Sequence, residues 1–191
     1  MAVEYTNRKG QKYYLHQGST KTGKPKYFFS MKSEGTLVKT IPDGFEIYEN
    51  PNAQVFLQRT QPQIITKQEI ATVENGMKEF SSLQHYKIDV KKDTIYIYTA
   101  DQDESKLSEM LKSFPSAKNT DIQNIINRNR TYSAMLRFVL FDDRRRIFTA
   151  KRYCFLGSID DWINIGFPDT LQNLVEKNVK HLGRNSFYEL H

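Results

Sequence analysis

The sequence predicts an α+β fold of antiparallel β-hairpins with three to four helices, preceded by a small β-meander module. Three observations predict it. Segments of period two come in adjacent pairs with turn residues between them, and segments of helical period fall between the pairs. A short Gln/Pro stretch, Thr60 to Gln63, separates an all-β beginning from the rest. The domains that follow are a basic β-rich module over 1–60 and an α+β domain over 64–191.

The module opens with "KYYLH" and "KYFFSMK", two aromatic strand candidates flanking Gly18–Pro25, "GSTKTGKP". That stretch nearly spells a phosphate-binding loop. The loop motif requires Ser or Thr after its Gly-Lys and a helix beyond it. Here Pro25 follows Lys24; it has no hydroxyl for Mg²⁺ and biases Lys24 away from helical geometry. A hairpin turn is the expectation. Lys12, Tyr14 and His16 would share one face of the first strand, and Lys26 and Phe28 one face of the second. "FEIYE" and "QVFLQ", bounded by the turn signals "PDG" and "NPN", complete a meander of four strands.

In the second domain, Thr66 and Glu69 form a capping box for a helix carrying Ile70, Val73, Met77 and Phe80, with Gly76 as a weak point. "HYKIDVKKDTIYIYTA" reads as a hairpin turning near Lys92-Asp93. Two further helices are expected, over "DESKLSEMLKSF" and "DIQNIINRN". A third hairpin turns at Asp142-Asp143-Arg144, between "YSAMLRFVLFD" and "RRIFTAKRYCFL". In "IDDWIN", Asp160 or Asp161 either caps a turn that buries Trp162 or lines a pocket, and the cap is the expectation because Asp is a preferred capping residue. A last helix, with Pro168 near its start, runs to Gly183, and "SFYEL" is read as an edge strand.

Composition bounds the function. Mean hydropathy is low at −0.65, yet 24 of 191 residues are Tyr, Phe or Trp, which requires an ordered and largely aromatic core. The lone Cys154 excludes an intrachain disulfide and a cysteine zinc cluster, and is expected to be a small buried hydrophobe. "MAVEYTNRKG" lacks the apolar core of a signal peptide and no apolar run approaches membrane-spanning length, so a cytoplasmic protein is expected.

Charge is the strongest functional signal. The first 32 residues hold seven Lys or Arg and one Glu, a balance of +6 that equals the net charge of the whole chain. Residues 125–191 hold eleven basic against seven acidic side chains, while 61–124 hold eight against ten. Cations beside aromatic rings can release counterions from phosphates and stack on bases. The expected contacts are Arg8, Lys9, Lys12, Tyr14, Lys21, Lys24, Lys26 and Phe28 at one end, and Arg144, Arg145, Arg146, Lys151 and Arg152 at the other. If both basic hairpins faced the same side they would form one phosphate-binding surface.

The sequence therefore predicts a non-catalytic nucleic-acid-binding protein, with no cofactor and no metal. The alternative is a protein-interaction or assembly subunit whose aromatics meet a protein partner. A metal-dependent nuclease is a third reading, because Asp89-Val90-Lys91 fits the acid-x-Lys pattern, with Glu74 and Glu79 on the preceding helix. His16, His85 and His181 lack metal-ligand spacing, and no serine sits in a nucleophile elbow. Oligomeric state leaves no trace in the sequence.

Overall fold

The described residues of the chain, in a computed structural model, are 1–101, 127, 130–156 and 159–191. They divide into two units, Met1–Gln61 and Pro62–His191.

The first unit holds five strands rather than four. Strands β1 (Glu4–Thr6), β2 (Lys12–Ser19) and β3 (Pro25–Ser30) make an antiparallel sheet in that order. Strands β4 (Phe45–Glu49) and β5 (Val55–Arg59) pair as a separate hairpin. Polar contacts join the two pieces where a small module has little apolar surface to bury. Asn7 Nδ2 donates to the Ala53 carbonyl at 2.7 Å, the Tyr5 hydroxyl to Glu49 at 2.9 Å, and Arg8 Nε to Glu49 at 2.6 Å. Burial alone would raise the Glu49 carboxyl, but the bonds from Arg8 and Tyr5 outweigh it and hold it below the ordinary range.

The second unit is built on a five-stranded antiparallel sheet, order β10-β9-β8-β7-β6. Its strands are β6 (Tyr86–Lys91), β7 (Thr94–Ala100), β8 (Tyr132–Asp142), β9 (Ile147–Leu156) and β10 (Ile159–Thr170). Helix α1 (Lys67–Phe80) precedes the sheet and α2 (Leu171–Asn178) follows it. Both lie on one face. Val73 and Met77 of α1, Leu174 and Val175 of α2, and Phe187 beyond them seal a core with Ile97, Leu136, Phe138 and Phe148.

The α+β class with antiparallel hairpins is what the structure shows; the expected three to four helices are not. Among the described residues there are two α-helices and two short 3₁₀ turns, Val179–His181 and Asn185–Glu189. The helices expected over "DESKLSEMLKSF" and "DIQNIINRN" lie outside the described residues, apart from the helical Asn127. "SFYEL" is no edge strand: its 3₁₀ turn drives Phe187 into the core.

The segment read as a cap and a helix start is instead the edge strand β10. Asp160 and Asp161 pair in register with Phe155 and Cys154, and Trp162 is half-buried on the sheet rather than covered by a turn. Pro168 falls in a register shift between Ile165 and Asp169, opened by Gly166 at φ 71°. An edge position next to a bulge is where a strand tolerates proline. Helix α2 begins three residues later, with Thr170 as its cap.

The capping box is complete: Glu69 N–H donates to Thr66 Oγ1, and Thr66 N–H donates to Glu69 Oε2 at 2.8 Å. Gly76, a weak point for an isolated helix, serves packing here. A Cβ there would collide with Val175 Cγ1, so the glycine sets how closely α1 and α2 approach. Among the described residues no helix is long and apolar enough to cross a membrane.

Candidate nucleic-acid interface

Gly18–Pro25 is the turn of the β2–β3 hairpin. Ser19 pairs with Pro25, Thr20 N–H donates to the Lys24 carbonyl at 2.8 Å, and Gly23 takes φ 78° to close the loop. A strand follows it, not a helix, so the stretch has no helix terminus with which to cradle a phosphate.

Around this turn Lys21, Lys24 and Lys26 are exposed, and none has an ion-pair partner among the described residues. Phe28, 42 % exposed, stacks on His16 with ring centres 5.4 Å apart. His16 is itself buried, since Leu37 bridges to it and its Nε2 lies 2.9 Å from the Lys32 carbonyl. The outward face expected for His16 is therefore covered by the chain after β3. Tyr14 and Lys9 are half-buried. Lys12 sits at 2.9 Å from Glu4, whose hydrogen bond raises its pKa, and Arg8 is held by Glu49 and the Asn50 carbonyl.

The second cationic cluster is arranged differently. The arginine run is the β8–β9 turn itself, residues 143–146, rather than the start of the next strand. Asp142 Oδ1 accepts the N–H groups of Arg144 and Arg145 at 2.9 and 3.0 Å. Arg146, at φ 51°, forms a two-pronged pair with Glu69, at 2.8 and 2.6 Å, as well as bonding Asp143 and the Ile64 carbonyl. Burial alone would raise the Glu69 carboxyl, but Arg146 and the Thr66 cap hold it below its ordinary value. Arg152 is 3 % exposed and donates to the Tyr188 and Leu190 carbonyls, each at 2.9 Å. Arg146 and Arg152 thus hold the fold together. Arg144 and Arg145 remain exposed, Arg145 with Asp142 at 3.9 Å, and Lys151 lies half-buried on the sheet.

The sheet also gathers a constellation that the sequence reading missed. Register places Tyr96, Tyr98, Arg137, Lys151, Tyr153 and Trp162 on the face opposite α1 and α2. The Arg137 guanidinium lies 4.3 Å from the centre of the Trp162 ring and 5.9 Å from that of Tyr96. Trp162 meets Tyr153 and Tyr96 edge-on, at 5.3 and 5.9 Å, and Tyr98 continues the row 6.3 Å from Tyr96. Such pairs are stabilised by the ring quadrupole. Burial, reinforced by Asp89 and Tyr96, pushes the Tyr98 hydroxyl up to about 12, so it stays a neutral donor. Tyr153 donates to Asp160, which raises its pKa. The visible signal was the alternation in "TIYIYTA", which sends Tyr96 and Tyr98 to one side; the missing information was the strand order that brings Trp162 beside them.

Of the residues in the nuclease reading, Asp89 and Lys91 share the outward face, Nζ to Oδ2 3.7 Å, while Glu74 and Glu79 sit on α1 across the sheet. Among the described residues no three His, Cys, Asp or Glu side chains come together as metal ligands. Cys154 is buried, as a small hydrophobe would be.

Comparison of the chain with protein-family models, with curated proteins and with solved structures gives no match. The class rests on its own geometry: a two-unit antiparallel α+β protein whose described residues include cationic hairpin turns and an aromatic sheet face.

Proposed function

We propose that the protein binds nucleic acid without catalysing a reaction on it, the β2–β3 hairpin supplying phosphate contacts. One observation supports this reading above the others: Lys21, Lys24 and Lys26 stand exposed and unpaired around one turn, beside the partly exposed ring of Phe28. A lysine free of carboxylates keeps its full charge for a phosphate and releases a counterion on contact. Arg144 and Arg145 add exposed cations in the second unit, and the half-buried Lys9 adds a cation in the first. The lone, buried Cys154 suits the cytoplasm, the compartment assigned here.

Fluorescence anisotropy with a labelled duplex of about 20 base pairs tests it at roughly 50 mM salt. The intact protein should bind with an affinity that falls steeply as salt rises. Changing Lys21, Lys24 and Lys26 together to Glu should flatten the slope of log K against log salt by about 3, nearly one unit per lost phosphate contact. No binding at low salt, or an unchanged slope, refutes the assignment.

A second reading, a protein-interaction or assembly subunit, is favoured by apolar side chains left in water. Phe155 is 78 % and Phe167 90 % exposed, both on the second unit. Rings so placed suit a protein partner. An oligomer that survives high salt would support this reading over the first.

A further inference from the structure

The outward sheet face has more aromatic surface than phosphate contacts alone require, and it belongs to the second unit, whereas the lysine turn that carries the proposed function belongs to the first. We infer that this face binds single-stranded nucleic acid, with bases stacked on Trp162 and Tyr153 and phosphates met by Lys151 and Arg137. The inference shares the ligand class of the proposed function but uses a separate site.

Three observations carry it. First, the rings lie on neighbouring strands of one sheet rather than on a protruding hairpin or helix. From β6 to β10 the sheet is about 19 Å wide at the usual strand spacing, room for several stacked bases. Second, Arg137 makes no hydrogen bond and no ion pair among the described residues; Trp162 and Tyr96 hold its guanidinium and no carboxylate neutralises it. A positioned, uncompensated cation among rings calls for an anionic or π-rich ligand. Third, Lys151 is likewise without a partner and is the register neighbour of Arg137, so two positive charges lie side by side in the middle of the platform.

The choice of strand state follows from the rings. In a duplex the base faces are stacked on each other and only edges and phosphates are presented. A platform of aromatic side chains gains from bases only when they are unpaired. An acidic peptide would satisfy Arg137 and Lys151 and leave the rings without a role.

Trp162 is the only tryptophan in the chain, so its emission reports on this face alone. The probe is an oligothymidylate of about 12 nucleotides. Titration at low salt should quench Trp162 saturably, with a salt slope near −1.4 for two phosphate contacts at about −0.7 each. The same oligonucleotide in duplex form should bind this face roughly tenfold more weakly. Tyr153→Leu should weaken the single strand about tenfold and Lys151→Glu at least severalfold; both positions face outward, and circular dichroism checks that the fold is kept. The Lys21, Lys24, Lys26 to Glu variant should leave the quenching in place, which separates the two sites. Absence of quenching while anisotropy still shows duplex binding through the lysine turn overturns this inference and leaves the proposed function standing. Equal quenching by duplex or by polyglutamate, or indifference to Tyr153→Leu and Lys151→Glu, overturns it as well.

Discussion

At the β2–β3 turn of the first unit Lys21 and Lys24 are exposed and form no ion pair among the described residues, whereas at the β8–β9 turn of the second unit Arg146 is clasped by Glu69 and Asp143. Both turns are rich in cations, and both look alike as strings of residues. Their partners make the difference. The lysines contribute a field to the surroundings, while Arg146 contributes a tie between helix α1 and the sheet and has little charge left to offer. A count of basic residues measures neither quantity. What matters is how many cations the fold has already neutralised.

The contrast makes its largest forecast in stability. Arg146→Ala would leave the Glu69 carboxylate without its main partner and free the Ile64 carbonyl. Arg146 is about one-third exposed, so solvent screening limits the loss to roughly 1–2 kcal/mol. Lys24→Ala should stay within about 0.5 kcal/mol. Urea midpoints decide this, and equal shifts for the two variants would erase the distinction between the turns.

A pH titration sharpens the same point. Glu69 is held below its ordinary value of 4.5 in the folded protein, so the unfolded chain takes up a proton first as pH falls. The stability it provides is complete above that value and drains away as pH drops through the lower folded one. Denaturant unfolding between neutral and about pH 3 should show a steeper loss in the wild type than in Glu69→Gln. Parallel curves would mean that Arg146 and Glu69 do not interact as described. The smallest effect belongs to binding at the second turn. Arg144 and Arg145 changed together to Glu should lower duplex affinity by less than the three hairpin lysines do, because Asp142 and Asp143 already weaken the field there. Anisotropy under the same salt conditions measures it, and a larger loss than the lysine variant shows would reverse the ranking.

Much of the fold could be read from local chemistry. The capping box at Thr66 and Glu69 needs only four neighbouring residues, and the β2–β3, β6–β7 and β8–β9 hairpins need only alternation and turn residues. β10 was missed because Asp160, Asp161 and Pro168 are cap and turn signals taken singly. Its alternation survives only across a bulge, and its place at a sheet edge, which makes proline acceptable, is a property of the whole sheet. "SFYEL" has strand-like residues, but its fate is set by Phe187 reaching the core. The same limit applies to the candidate sites. Lys21, Lys24 and Lys26 could be picked out because their exposure follows from a local turn. Arg146 and Arg152 look like surface cations in the sequence because Glu69 and the Tyr188 and Leu190 carbonyls lie far away along the chain.

The strand order has a kinetic side. Each strand of the large sheet lies next to the one before it in sequence, so most pairings close over a few residues. One junction is different: Ala100 and Tyr132 are register partners with residues 101 to 131 between them. Joining those ends in the unfolded chain costs about 3 kcal/mol of closure entropy, far more than the tight turn between β6 and β7. Pairing β7 with β8 is therefore the costliest closure of this sheet in the unfolded chain, and shortening that span should speed folding.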